Sequence, residues 1–101
     1  MAIASINPAT GELSKHFDAH TDAEIESALD RAVSAFEKHR RSSFAERAAK
    51  LQYTAEILEK DREHFARIIT TEMGKLLRAA VDEIEKCARG CRFYAEQGEK
   101  F

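Results

Sequence analysis

Apolar residues recur every three or four positions through most of this chain, and only the first twenty residues break the rhythm. Ile25, Ala28, Leu29, Ala32, Val33 and Phe36 form one helical stripe. Ala48, Leu51, Ala55 and Leu58 form a second, and Phe65, Ile68, Ile69 and Met73 a third. Leu77, Ala80, Ile84, Cys87, Cys91, Tyr94, Gly98 and Phe101 follow as a narrow seam, with Arg78, Asp82, Glu85, Arg89 and Glu96 largely off it. The stripes are punctuated by helix-start signals. Thr21-Asp22-Ala23-Glu24 and Ser43-Phe44-Ala45-Glu46 are capping boxes, in which the hydroxyl takes a free backbone N–H and the glutamate reaches back to the cap. Lys38, His39, Arg40 and Arg41 place cations where a helix ends. Asp61 interrupts or re-caps the chain, and Gly74 stands where a helix terminus favours positive φ.

The opening is different. Ile3, Ser5 and Ile6, then Leu13, Lys15 and Phe17, flank Asn7-Pro8-Ala9-Thr10-Gly11, a turn sequence. Two short strands are expected, and a lone hairpin is marginal in water, so it should lie against something else. The expected fold is therefore mostly α: a β-hairpin segment over residues 1–20, then about four amphipathic helices over 21–101. The last seam is still in phase at Phe101 with no stop signal after it, so the helical part is expected to be incomplete at the C-terminus.

Composition changes this picture little. With 101 residues the chain makes one small domain; with four glycines and one proline it favours long helices. A net charge of −2 gives no field that would draw nucleic acid or an anionic membrane, so neither is expected as a partner. No apolar run approaches the roughly 18 residues of a membrane span, and the N-terminus lacks the basic and apolar regions of a signal or transit peptide. Two cysteines in such a chain read as reduced thiols in a cytoplasmic protein.

Candidate chemistry is sparse. Cys87 and Cys91 are four apart, half of a zinc site at most, and read as small core residues. His16 and His20 could share a strand face and hold a metal weakly; with His39 and His64 they read as surface histidines. The Lys38–Arg41 cluster could hold a phosphate but reads as a solvated helix end. The carboxylates of the last helix read as a wet face, and Phe93 and Tyr94 as core and interface. There is no Gly-rich phosphate loop, because Gly11, Gly74, Gly90 and Gly98 are isolated. No residue is assigned as catalytic, cofactor-binding or metal-ligating.

Four stretches carry a resemblance. Ile6-Asn7-Pro8-Ala9-Thr10-Gly11-Glu12 resembles the opening hairpin of the aldehyde dehydrogenase superfamily, and Phe44-Ala45-Glu46-Arg47, with Leu51 and Ala55-Glu56-Ile57-Leu58, its second helix. Thr71-Glu72-Met73-Gly74-Lys75 resembles its Glu-x-Gly-Lys segment. Glu83-Ile84-Glu85-Lys86-Cys87-Ala88 and Cys91-Arg92-Phe93-Tyr94-Ala95-Glu96 resemble the long helix that follows. The last two stretches are most similar to the branch containing NAD(P)-dependent succinate-semialdehyde dehydrogenases. One departure is Leu76, where the family usually has proline after Gly-Lys; it bears on where the last helix begins.

The resemblance implies part of the α/β cofactor-binding domain of an enzyme that oxidises an aldehyde to an acid with NAD or NADP. The family's cysteine nucleophile, its glutamate base and its cofactor strands would all come after residue 101. It implies that this chain alone is non-catalytic and binds no cofactor itself. Its expected partner is the remainder of the parent enzyme, with self-association through the last helix as a further expectation. The alternative reading is a stand-alone helical interaction module derived from such an enzyme.

Overall fold

A computed structural model describes residues 3–101; Met1 and Ala2 of the 1–20 segment lie outside the described residues. Strands β1 (Ile3–Ile6) and β2 (Leu13–Phe17) pair antiparallel, Ile3 opposite Phe17 and Ser5 opposite Lys15, with an irregularity between Ser5 and Ile6. The turn is held by its own side chains. Asn7 Oδ1 accepts from the Ala9 N–H at 2.9 Å, Thr10 Oγ1 accepts from the Glu12 N–H at 3.2 Å, and Gly11 supplies the φ of +75°.

Four helices follow: α1 (Asp22–His39), α2 (Phe44–Lys60), α3 (Arg62–Met73) and α4 (Leu77–Gln97), with a last 3-10 turn over Gly98–Lys100. Both capping boxes form. The Thr21 N–H donates to Glu24 and the Ser43 N–H to Glu46, each at 2.7 Å, while the two hydroxyls accept from the Glu24 and Glu46 N–H groups. These backbone donors hold both glutamates below the usual carboxylate range. Asp61 ends α2 and starts α3 without a side-chain cap bond. Gly74 ends α3 at φ +74°, where its N–H donates to the Thr70 carbonyl at 2.9 Å. Helix α4 begins after Leu76, whose φ of −56° is within the range a proline ring would impose.

The core lies among α2, α3 and α4. Ala55, Ala66, Ala80 and Ala88 are fully buried and Ile84 nearly so, with Leu58, Phe65, Ile69 and Val81 packed around the centre. Alanines at the crossing points let the helix backbones approach closely, but no large side chain is fully buried. Two guanidinium–carboxylate pairs tie the helices together: Arg92 to Glu59 at 2.6 and 3.2 Å, and Arg62 to Glu85 at 3.6 Å.

The expected seam of α4 is only half right. Its buried line runs through Ala80, Ile84 and Ala88, whereas Cys87, Tyr94 and Phe101 are exposed. At about 100° per residue the buried line extends roughly 40° either side of Ile84, and Cys87 and Tyr94 fall about 60° and 80° from Ile84, beyond its edge. In α3, likewise, Ala66 takes the centre while Ile68 and Met73 face outward.

Candidate interaction surface

The hairpin finds its support on α3. The Ser5 hydroxyl, buried, donates to the Glu72 carboxylate at 2.6 Å, and a Cβ built on Gly74 would stand 3.2 Å from Pro8 Cγ. The Glu-x-Gly stretch thus docks the Asn-Pro turn. The glutamate holds the strand, and the glycine gives the turn room. Beyond it, Lys75 is paired with Glu83.

At the other end, the corner between α1 and α2 is clamped by Arg47. Its Nε donates to Ser42 Oγ at 2.9 Å and its Nη2 to the carbonyls of His39 and Arg40 at 3.2 and 3.5 Å, satisfying the open end of α1. Sequence reading missed this role. Arg47 stood next to a capping box, but the carbonyls it serves are seven and eight residues away, and no local pattern announces such a contact.

The residues singled out for chemistry are dispersed. Cys87 is exposed and Cys91 half-buried, and both are free thiols; the reading of Cys87 as core is corrected, because it lies about 60° around α4 from Ile84. His16 lies in β2 opposite Ala4, whereas His20 lies beyond the strand, 3.8 Å from Glu24, so the two do not share a strand face. His64 packs edge-on to Phe65, and the His39 carbonyl takes the Ser42 hydroxyl at 2.6 Å. Arg40 lies over the Phe36 ring and 3.6 Å from Glu37. Phe93, Tyr94 and Phe101 pack on one another as an exposed aromatic group. Among the described residues, no group of three or more His, Cys, Asp or Glu side chains could hold a metal ion, and no helix is long and apolar enough to cross a membrane.

What the fold leaves open is a surface. Helix α1 packs against no other helix or strand, and its stripe is bare: Ile25 is 46% exposed, Leu29 55%, Val33 62% and Phe36 58%. The last helix was expected to be the one in need of a partner. Its central face is covered by α2 and α3, while Phe93, Tyr94 and Phe101 at and after its end stay exposed, as does the stripe of α1. The shape agrees. The radius of gyration is 17.7 Å, against about 13 Å for a compact chain of this length. The accessible surface is 8316 Å², against about 5,800 Å² for a compact monomer of the same mass.

Comparison with known proteins now decides the family, because the aldehyde dehydrogenase family matches residues 1–101 throughout. The chain belongs to the aldehyde dehydrogenase family. It is 50% identical over 99 residues to the Mycobacterium tuberculosis succinate-semialdehyde dehydrogenase [NADP(+)] 1, covering 98% of this chain and 22% of that one. To a probable succinate-semialdehyde dehydrogenase [NADP(+)] of Synechocystis it is 45% identical over 101 residues, covering 100% and 22%. The solved succinic semialdehyde dehydrogenase of Streptococcus pyogenes, in complex with NADP+, superposes with a TM-score of 0.89 at 36% identity, over 96% of this chain and 22% of that one. The chain thus spans about a fifth of the length of these relatives.

The two NADP-dependent relatives named above raise the question of where a phosphate could sit on this chain. A pyrophosphate needs a glycine-rich turn opening onto a free helix N-terminus. Here the N-termini of α1 and α2 are closed by their own Glu24 and Glu46 carboxylates, whereas those of α3 and α4 carry no side-chain cap. Gly11 serves the hairpin turn, and the space over Gly74 is filled by Pro8.

Proposed function

We propose that this chain acts as a scaffold segment of an NADP-dependent succinate-semialdehyde dehydrogenase and is inactive alone. The observation that carries the reading is the 50% identity over 99 residues to the M. tuberculosis NADP-dependent enzyme, in which the likeness spans every element from the hairpin to α4. In this reading the remainder of the enzyme is the partner and supplies nucleophile, base and cofactor cradle. The parent reaction is oxidation of succinate semialdehyde to the acid, with hydride passing to NADP. The residues of this chain hold shape. Arg47 fixes the α1–α2 corner, Glu72 and Gly74 seat the hairpin, and Glu59 with Arg92 locks α2 to α4. A reducing, cytoplasmic setting goes with this reading and is supported by the free thiols of Cys87 and Cys91. Neither nucleic acid nor membrane is a partner in it.

A chimera tests the proposal. The matched segment of the M. tuberculosis enzyme is replaced by this chain, and NADP reduction is followed with succinate semialdehyde. The chimera is expected to turn over, and the 101-residue chain alone to show no turnover. A chimera that folds and assembles like its parent yet lacks activity would overturn the proposal, as would turnover by the isolated chain.

A further inference from the structure

Helix α4 carries two free thiols one turn apart, Cys87 exposed and Cys91 half-buried. A step of four residues sets them about 6 Å apart along the axis and about 40° apart around it, so they share one side of the helix. The turn that carries them is fixed. Ala88, between the two thiols, is fully buried, and directly after them Arg92 holds Glu59 at 2.6 Å. Beside the pair there is room: beyond its own stretch of helix, nothing lies within 4 Å of a Cβ built on Gly90.

That spacing selects among thiol chemistries. Side chains four apart on a helix have Cβ atoms about 5–6 Å apart, whereas a disulfide needs about 3.5–4.5 Å. A direct S–S bond would have to distort a turn that Ala88 and Arg92 hold. One atom set between the sulfurs closes the gap: with bonds near the ~2.3 Å of a zinc–thiolate bond, it keeps them about 3.5–4 Å apart. Zinc itself is a poor match. It takes four ligands, and among the described residues no group of three or more His, Cys, Asp or Glu side chains could hold a metal ion. The pair suits a soft centre that is satisfied by two sulfurs.

We infer that Cys87 and Cys91 form a bidentate site for a monosubstituted arsenic(III) compound, a soft centre with two places open to sulfur. Each thiol forms one As–S bond. The two thiol protons leave with the oxide oxygen as one water, and arsenic stays trivalent, so no oxidant or reductant is required. The site needs only α4 and its packing and does not rest on the enzyme reading. The chimera reports on one and the isolated chain on the other, so either can fail alone.

The probe is phenylarsine oxide, titrated into the purified, reduced 101-residue chain. Intact-mass spectrometry should show one phenylarsenic group per chain, and both thiols should become unreactive towards a thiol dye. An excess of a monothiol should not strip the group, whereas a small dithiol should remove it. Helical circular dichroism should persist and the thermal midpoint should rise, because a pair preset by the helix binds the folded chain better than the unfolded one. Cys87→Ser and Cys91→Ser should each bind about tenfold or more weakly, since each loses the second, intramolecular bond. The deciding variant keeps two thiols and moves one. Cys91→Ser with Arg89→Cys sets them on opposite sides of the helix, about 160° apart, and it should bind like the single-thiol variants. If that variant binds as tightly as wild type, the inference is overturned. It is overturned equally by a wild type no tighter than Cys87→Ser, or by loss of the helical signal on binding.

Discussion

Gly74 carries two constraints that one methyl group would violate, and Gly74→Ala separates them. The first is conformational. At φ +74° an alanine sits in the left-handed region, about 1–2 kcal/mol less favourable than for glycine. The second is steric. The new Cβ would stand 3.2 Å from Pro8 Cγ, in a turn anchored by Asn7 and by the Ser5–Glu72 bond, so the hairpin must yield by a few tenths of an ångström. Taken together, a loss of about 1.5–2.5 kcal/mol is expected. A chain of this length has typically about 5–15 kcal/mol in total, and one with no large side chain fully buried belongs at the low end. In urea, with a slope near 1 kcal/mol/M, the midpoint should fall by roughly 2 M. Far-UV circular dichroism would follow unfolding of the wild type, Gly74→Ala, Pro8→Ala and the double variant. Removing the proline ring should relieve the steric share, leaving a coupling of about 0.5 kcal/mol and a residual cost near 1 kcal/mol from φ. A single variant within about 0.5 kcal/mol of wild type would refute the argument. Complete recovery in the double variant would refute its conformational half.

Two further expectations rest on the same elements. The Glu59 carboxyl is held below its usual range, first by the hydrogen bond from Arg92, with partial burial opposing and the charges of Arg92 and Arg62 assisting. A depressed carboxylate contributes stability above its unfolded value of about 4.3 and loses it as pH falls through the folded value. Arg92→Gln should therefore lie below wild type near neutrality and converge with it in acid, and parallel stability–pH curves would sink this account. Leu76→Pro should stabilise the chain by about 0.4–1 kcal/mol, since φ is already −56° and the Leu76 N–H donates to no partner. A drop in thermal midpoint would show that the start of α4 is not preset as described.

What the sequence made legible was local. Thr21 with Glu24, and Ser43 with Glu46, are separated by three residues, and the bonds they promise depend on little outside their own turn. The hairpin was readable for the same reason, since Asn7, Thr10 and Gly11 complete the turn by themselves. The links that join elements were not readable. Ser5 to Glu72 spans 67 residues and Glu59 to Arg92 spans 33, and neither end differs in type from many other polar residues nearby. For Cys87 the miss was one of phase: the buried line of α4 is centred on Ile84, about 60° around the helix from Cys87, and the apolar series alone does not mark that centre.

The contrast between α1 and α4 takes this further. Both helices are amphipathic, and by pattern alone α4 with its longer seam was the one left wanting a partner. Within the chain, α4 is reached on one face by α2 and α3, while α1 is held at its end by Arg47 and packs its stripe against no other helix or strand among the described residues. Periodicity thus reports that a face must be covered and is silent on what covers it. The cover is decided by chain geometry: Asp61 joins α2 to α3 with no intervening residue, and a two-residue turn after Gly74 brings α4 back over them. The link from α1 to α2 is a corner whose carbonyls are held outward by a guanidinium rather than a turn that folds one helix onto the other. An apolar face held away from its own core at such a corner is left open to a surface outside these helices.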